Sequence, residues 1–222
     1  MRLKLLFPLS LVFLEIGTYL ANDMYLPGLP TISEQLGISQ DQAQYTLLVW
    51  FLGSGSLQFL TGPISDSLGR RVVLLSGAIL FCLSSLVCAM TSNLTLLLIA
   101  RFIQGSAICA IVVPGYAAVH EHFESQSAIK IIAIMGSVTI LAPAFGPLLG
   151  AIVIEVSHWR AIFWTLTIWG LIAFLILFFV MPETNQNPHP RARLMVPLNR
   201  TVPHAGSVVN VNRRWSRKWV EA

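Results

Sequence analysis

Hydrophobic and polar positions along the first 184 residues alternate in long blocks rather than with a short period. Apolar stretches of about 20 residues, each the length needed to cross a hydrocarbon core, are separated by brief polar segments. They fall at about 5 to 27, 43 to 64, 72 to 92, 95 to 118, 131 to 154 and 161 to 181. The pattern predicts an all-α membrane protein, with six transmembrane helices joined by short loops and no room for a soluble domain. Arg2 and Lys4 precede the first block as in a signal peptide, but the block continues past Glu15 to about Tyr25 with no small-residue cleavage pattern, so it is read as a retained helix. Ser39 and Gln42 have the spacing of a capping box just before the second block.

Three ionisable residues interrupt these blocks: Glu15, Asp23 and Arg101. A charge at the middle of a bilayer costs roughly 2.5 to 3.5 kcal/mol on insertion scales, so such residues normally face a bundle interior or a wet cavity. Glu15 lies about ten residues, or roughly 15 Å at helical rise, into the first span, near the midplane. Asp23 is about 12 Å further along the same axis, toward the mouth. Arg101 enters from that same side on the fourth span, at a depth between the two acids, where a pair with either is geometrically possible. A static buried ion pair that only fixes helix register is the alternative to a functional pathway.

Composition supports the membrane reading. The 222 residues are 55% hydrophobic and only 11% charged, with mean hydropathy +0.72, against about 25% charged residues in an ordinary soluble domain. A soluble globule, a disordered chain and a disulfide scaffold are excluded. Cys82, Cys88 and Cys109 all lie in apolar runs and read as small hydrophobic filler. The net charge of +4 is unevenly distributed: residues 185 to 222 carry +6 and the first 184 carry −2. The chain therefore divides into a six-helix bundle at 1–184 and a basic tail at 185–222, expected to be disordered. Counting Lys and Arg in alternate loops puts Arg2, Lys4, Arg70, Arg71, Lys130 and the tail on one side and only Arg160 on the other. Both termini are thus expected in the cytoplasm. The basic tail suits anionic lipid better than nucleic acid, since only Trp215 and Trp219 offer stacking surfaces there.

No metal or cofactor is expected. His120 and His122, two residues apart around Glu121, make a poor zinc pair and are read as loop. No phosphate-binding loop, zinc-protease helix or nucleophile elbow is present, so no enzyme activity is expected. Gly53, Gly55, Gly105, Gly136, Gly146 and Gly150 allow close helix approach, and Pro143 and Pro147 are expected to kink the fifth span.

The loop Gly62-Pro63-Ile64-Ser65-Asp66-Ser67-Leu68-Gly69-Arg70-Arg71 resembles the signature loop of the major facilitator superfamily, lying between the same two helices. Gly69 there needs a demanding backbone position, and Asp66 can cap a helix or pair with Arg70. Arg101-Phe102-Ile103-Gln104-Gly105 resembles that family's fourth-helix motif, and Gly146-Pro147-Leu148-Leu149-Gly150 its antiporter motif on the fifth helix. Trp159-Arg160 and Pro182-Glu183-Thr184 follow in the family's order, while Glu15 through Met24 and Gly115-Tyr116-Ala117-Ala118 resemble its proton-coupled multidrug exporters. Ala142 and Ala151 stand where the fifth-helix motif often has Gly. The likeness covers about residues 3 to 184, the N-terminal six-helix half of such a transporter.

The resemblance implies a proton-coupled multidrug efflux antiporter in a bacterial inner membrane, exchanging protons for lipophilic or cationic drugs. Glu15, Asp23 and Arg101 would couple to protons. The two acids, with Tyr19, Met24, Tyr116 and Met135, would meet substrate. Tyr25 and Trp50 belong to the same aromatic set, although side chains of these types also fill ordinary helix interfaces. Gly62, Asp66, Gly69, Arg70, Arg71, Gly146, Pro147 and Gly150 would serve conformational change. Because such transporters rock one six-helix half against another, a truncated chain, inactive alone, is expected. The alternatives are a membrane interaction module that transports nothing and a half-size transporter acting as a homodimer with another six-helix bundle.

Overall fold

Helix boundaries in the protein follow local capping chemistry. The computed structural model describes residues 2–184; the basic segment 185–222 lies outside the described residues. Every regular element among the described residues is helical: α1 (Arg2–Asp23), a short 3-10 turn (Leu26–Gly28), α2 (Leu29–Leu36), α3 (Gln40–Ser56), α4 (Gln58–Leu68), α5 (Arg70–Met90), α6 (Leu94–His122), α7 (Ser125–Val156) and α8 (Trp159–Val180). The Ser39 hydroxyl accepts from the Gln42 amide and the Gln42 side chain accepts from the Ser39 amide, the expected reciprocal cap of α3. Asn93 caps α6 in one direction, its side-chain oxygen accepting from the Leu96 amide at 3.2 Å.

Four helices, α5 to α8, are long and apolar enough to cross a membrane, and α3 with α4 makes a fifth if the bent pair is one span. The first block is helical over 22 residues. The second block is broken, with a 46° bend between α3 and α4. Its cause is local: Ser54 and Ser56 turn their hydroxyls back onto the Phe51 and Gly53 carbonyls, competing with the helix ladder just before the break. Pro63, inside α4, removes a further amide donor. The fourth and fifth blocks run longer than expected, so His120, Glu121 and His122 lie in the last turn of α6, and residues 125–130 open α7 rather than forming a loop. The segment after α1 folds into α2, closed by Gly37 in a left-handed conformation (φ 62°).

Helix α6 is central, packed by α3 on one side and α5 on another, while α8 packs on α5 and α1 packs on α7 and α8. Lipid tails are as apolar as leucine, so what holds such helices together is close fit and polar pairing rather than escape from water. The tightest seam joins α3 to α6: a Cβ on Gly53 would strike the Phe102 carbonyl, and one on Gly105 would strike the Trp50 carbonyl. A second seam joins α7 to the end of α1, where Gly146 lies against Asp23 and Gly150 against the Met24 backbone. Gly55, Gly62 and Gly136 have nothing within 4 Å of a would-be Cβ, so close approach is not what occupies those positions.

Candidate functional site

Helices α1, α3, α4, α6 and α7 enclose an open cleft of about 430 Å³. Its wall is mostly aliphatic and aromatic, with Tyr19, Trp50, Phe51, Ile108, Val112, Val113 and Pro143, and its polar groups are Asn22, Asp23, Ser54, Gln58, Cys109 and Thr139. Asp23 is the only charged residue among the lining residues. An acid in an aromatic-walled cleft has the chemistry to hold an organic cation, through Coulomb attraction and the negative ring faces together.

Arg101 lies behind that wall, wholly buried. Its Nη1 donates to the Ala21 carbonyl at 3.0 Å and to Gln104 Oε1 at 2.6 Å, and its Nη2 donates to Asn22 Oδ1 at 3.4 Å. Gln104 is itself fixed, donating to the Ser85 hydroxyl at 2.7 Å. Three rings surround the guanidinium: Tyr25 at 4.6 Å, Trp50 at 5.7 Å and Phe163 at 5.9 Å from centroid to carbon. The helix spacing makes this possible, since Arg101 and Gln104, three apart on α6, share a face. Among the described residues Arg101 has no ion pair with Glu15 or Asp23. The direct pair that the depths allow is replaced by an amide bridge: Asn22, which accepts from Arg101, donates Nδ2 to Asp23 Oδ1 at 3.3 Å.

Glu15 is 1% exposed, turned into the bundle and outside the cleft lining. The Tyr116 hydroxyl donates to its Oε1 at 3.3 Å, and Oε2 has no hydrogen-bond partner. Of the residues expected to meet substrate, the cleft takes Tyr19 and Asp23. Tyr116 lies with Glu15; Met135 is buried near Gly115; Met24 is buried with its backbone against Gly150. Tyr25 donates its ring to the Arg101 cage and bonds with the Thr46 hydroxyl at 2.9 Å.

The signature loop sits at the opposite end of α5 from Arg160. Gly69 takes φ 99°, and its missing side chain leaves room for the Glu183 carboxylate, which accepts from the Arg70 amide at 3.1 Å and the Arg71 amide at 3.3 Å. Asp66 lies in the last turn of α4 and pairs with Arg70 at 2.6 Å. Arg70 also pairs with Glu121 at 3.0 Å, and Glu121 accepts from the Thr184 hydroxyl at 3.0 Å. Arg71 donates to the Phe178 carbonyl at 2.7 Å. These contacts tie α4, α5, α6 and the end of α8 into one latch. At the other end Arg160 and Trp159 both donate to Gln35 Oε1, clasping α2 to α8.

Sequence reading missed Asn22, Gln104, Ser54, Gln58 and Thr139 as site residues, and missed Glu121 and Glu183 as partners of the basic pair. Polar residues at positions 22 and 104, adjacent to Asp23 and one turn from Arg101, were the available signal.

Similarity to known proteins bears on this arrangement. A family model described as the Major Facilitator Superfamily matches residues 11–220, running beyond residue 184. Over 183 residues the chain is 39% identical to the multidrug transporter MdfA of Edwardsiella piscicida, covering 82% of this chain and 45% of that protein. It is 37% identical over 182 residues to the multidrug resistance protein MdtM of Salmonella typhimurium, covering 82% and 44% respectively. The chain thus spans less than half the length of the curated relatives it matches. The crystal structure of the human organic anion transporter MFSD10 (TETRAN) superposes with TM-score 0.60 at 23% identity, over 87% of this chain and 50% of that one; it establishes the likeness of fold.

Proposed function

The chain belongs to the major facilitator superfamily, and we propose that it forms the cation-binding half of a proton-coupled multidrug efflux antiporter. In this reading α1 is a sixth span, the Arg70 end faces the cytoplasm and the Arg160 end faces outward, following the distribution of basic residues. The observation that carries the proposal is the cleft's single carboxylate, Asp23, joined through Asn22 to a wholly buried arginine. A carboxylate in an apolar cleft takes either a proton or a lipophilic cation, and competition between the two gives exchange. Arg101, with no acid of its own in contact, biases that competition through the amide bridge.

Glu15 serves as the second proton site, kept from substrate by burial. The latch around Arg70 and the seam of Gly146 and Gly150 on α1 are the contacts that a change of access must work against. Transport is completed by another six-helix bundle placed across the cleft. The broad apolar face of α7, with Ile140, Leu141, Phe145 and Leu148 all exposed, supports such a partner. A second copy of this chain is the alternative occupant, and crosslinking in membranes between cysteines placed on that face separates the two cases.

The test is binding of a fluorescent lipophilic cation to the chain in liposomes. Asp23→Asn is expected to weaken binding by about tenfold or more and to remove the proton release that accompanies it. Unchanged affinity in that variant overturns the proposal.

A further inference from the structure

A guanidinium can only donate, so each polar atom that faces Arg101 must accept. Gln104 meets it with Oε1, 2.6 Å from Nη1. That fixes the other end of the amide: Nε2, which can only donate, points away from the arginine into the bundle interior. Gln104 and Ser85 are both fully buried, and the acceptor there is the Ser85 hydroxyl oxygen on α5, at 2.7 Å. Ser85 is able to accept because its own proton is committed, donated to the Phe81 carbonyl one turn back at 2.7 Å. The hydrogen bonds therefore run in one order, with Arg101 donating to Gln104, Gln104 to Ser85 and Ser85 to Phe81.

Without an acceptor at position 85, Gln104 keeps a buried amide N–H unpaired, and it can satisfy that group only by turning, which withdraws Oε1 from Arg101. The guanidinium is planar, so holding Nη1 between Gln104 and the Ala21 carbonyl also sets the place of Nη2, the nitrogen that reaches Asn22. We propose that Ser85 is a positioning residue for Arg101, acting through Gln104 to aim the guanidinium at Asn22 and the cleft. None of the cleft's lining residues comes from α5, so this helix acts on the site without touching its contents. The effect on coupling rests on the antiport reading given above; the positioning itself does not. The neighbouring Ser84 is a built-in control, since its hydroxyl returns to the Leu80 and Phe81 carbonyls on its own helix.

The experiment uses the full chain in liposomes, labelled with 15N-arginine and followed by solid-state NMR, with the Arg101 signals assigned by their loss in Arg101→Leu. Ser85→Ala is expected to shift the Arg101 Nη1 resonance, and Ser84→Ala to leave it in place. Gln104→Leu is expected to shift it as well, and adding Ser85→Ala to Gln104→Leu to move it no further, because Ser85 acts only through Gln104. In the same liposomes, proton release on binding a fluorescent lipophilic cation is expected to fall about fivefold in Ser85→Ala and to be the same in the double variant as in Gln104→Leu. An Nη1 resonance unmoved by Ser85→Ala overturns the positioning role, as do shifts that simply add in the double variant or an equal shift in Ser84→Ala. A shifted resonance with proton release unchanged overturns the effect on coupling. The antiport reading is judged separately, by cation binding in Asp23→Asn, and its failure would leave the resonance to decide the positioning.

Discussion

Two arginines on neighbouring helices receive opposite treatment. Arg70, at the start of α5, meets the carboxylates of Asp66 and Glu121 within 3.0 Å and lies at a helix end. Arg101, in α6, is wholly buried and is held by a backbone carbonyl, two side-chain amides and three aromatic faces. The first charge is neutralised where it sits, so its contacts act as a latch between helix ends. The second is solvated without being neutralised, and Asp23 lies one amide away, across Asn22. A buried charge hydrogen-bonded but not ion-paired is costly to keep, and its retention beside a cleft carboxylate fits a role in proton exchange better than a role in stability.

Replacing Arg101 breaks the comparison most severely. Arg101→Leu removes the charge and leaves the Gln104, Ala21 and Asn22 acceptors without their donor, at about 1 to 3 kcal/mol each, against relief of the buried charge. These terms nearly cancel, so the melting temperature in detergent is expected to move little. Proton release on cation binding is expected to fall by about 100-fold, which corresponds to about 2.7 kcal/mol. Arg101→Lys retains the charge but loses the planar fork that reaches Asn22 and Gln104 together, and is expected to keep about a tenth of the coupling. A large drop in melting temperature with coupling intact would make Arg101 a structural residue.

The seam that presents Trp50 to Arg101 is the next target. In Gly105→Ala the new methyl group would strike the Trp50 carbonyl, which is backbone and cannot swing aside. The expected cost is about 3 kcal/mol, the upper end of overpacking penalties, read as a lowered unfolding temperature in detergent. Gly55→Ala, two residues from Gly53 on the same helix but with open space at the would-be Cβ, is the matched control and is expected to change stability by about 0.5 kcal/mol or less. Equal effects would mean that close approach of α3 and α6 does not set the position of Trp50.

Much of this was legible in the sequence. Apolar blocks announce α5, α6, α7 and α8, and the capping box announces where α3 begins, because membrane thickness and helix-end chemistry act locally. Glu15, Asp23 and Arg101 stand out because a charge is rare in such blocks. The bend at Leu57 was not legible, since the Ser54 and Ser56 hydroxyls also suit a straight helix. Nor was the partner of Arg101: depth along each helix fixed its level but not the rotation of α1, which brings Asn22 to the arginine and leaves Asp23 facing the cleft. Thr139 had no signal at all, because a threonine in a long apolar helix acquires meaning only when α1, α3 and α6 close a cleft beside it. Glu121 and Glu183, 62 residues apart in the chain, meet Arg70 only after α6 and then α8 return to the start of α5.

At the Arg70 end, Gly69→Ala tests the fit of the signature loop. A side chain at φ 99° is strained, and the Cβ would occupy the place of the Glu183 carboxylate. Loss of about 1 to 2 kcal/mol is expected from the backbone alone, with added exposure of the Arg70 and Arg71 amides to hydrogen exchange. Gly62→Ala, in the same loop motif but facing open space, is expected to leave exchange there unchanged. Protection that survives Gly69→Ala would show that Glu183 is not what covers the start of α5.

The smallest effect sharpens the contrast between the arginines through salt. Glu121 is about one-third exposed and Arg70 much less, so their attraction reaches solvent and is screened, whereas the Arg101 contacts are closed to ions. Glu121→Gln keeps the side chain's shape and a hydrogen-bond acceptor while removing the charge, and is expected to cost about 0.5 to 1 kcal/mol at low ionic strength. That difference should shrink toward zero as salt rises from about 0.05 M to 0.5 M, because the Debye length falls from about 14 Å to 4 Å. Cation-coupled proton release, if biased by Arg101 as proposed, is expected to keep its Arg101→Leu deficit across the same range. A deficit that faded with salt would place Arg101 in the same screened setting as Arg70 and would remove the distinction between a latch and a buried bias.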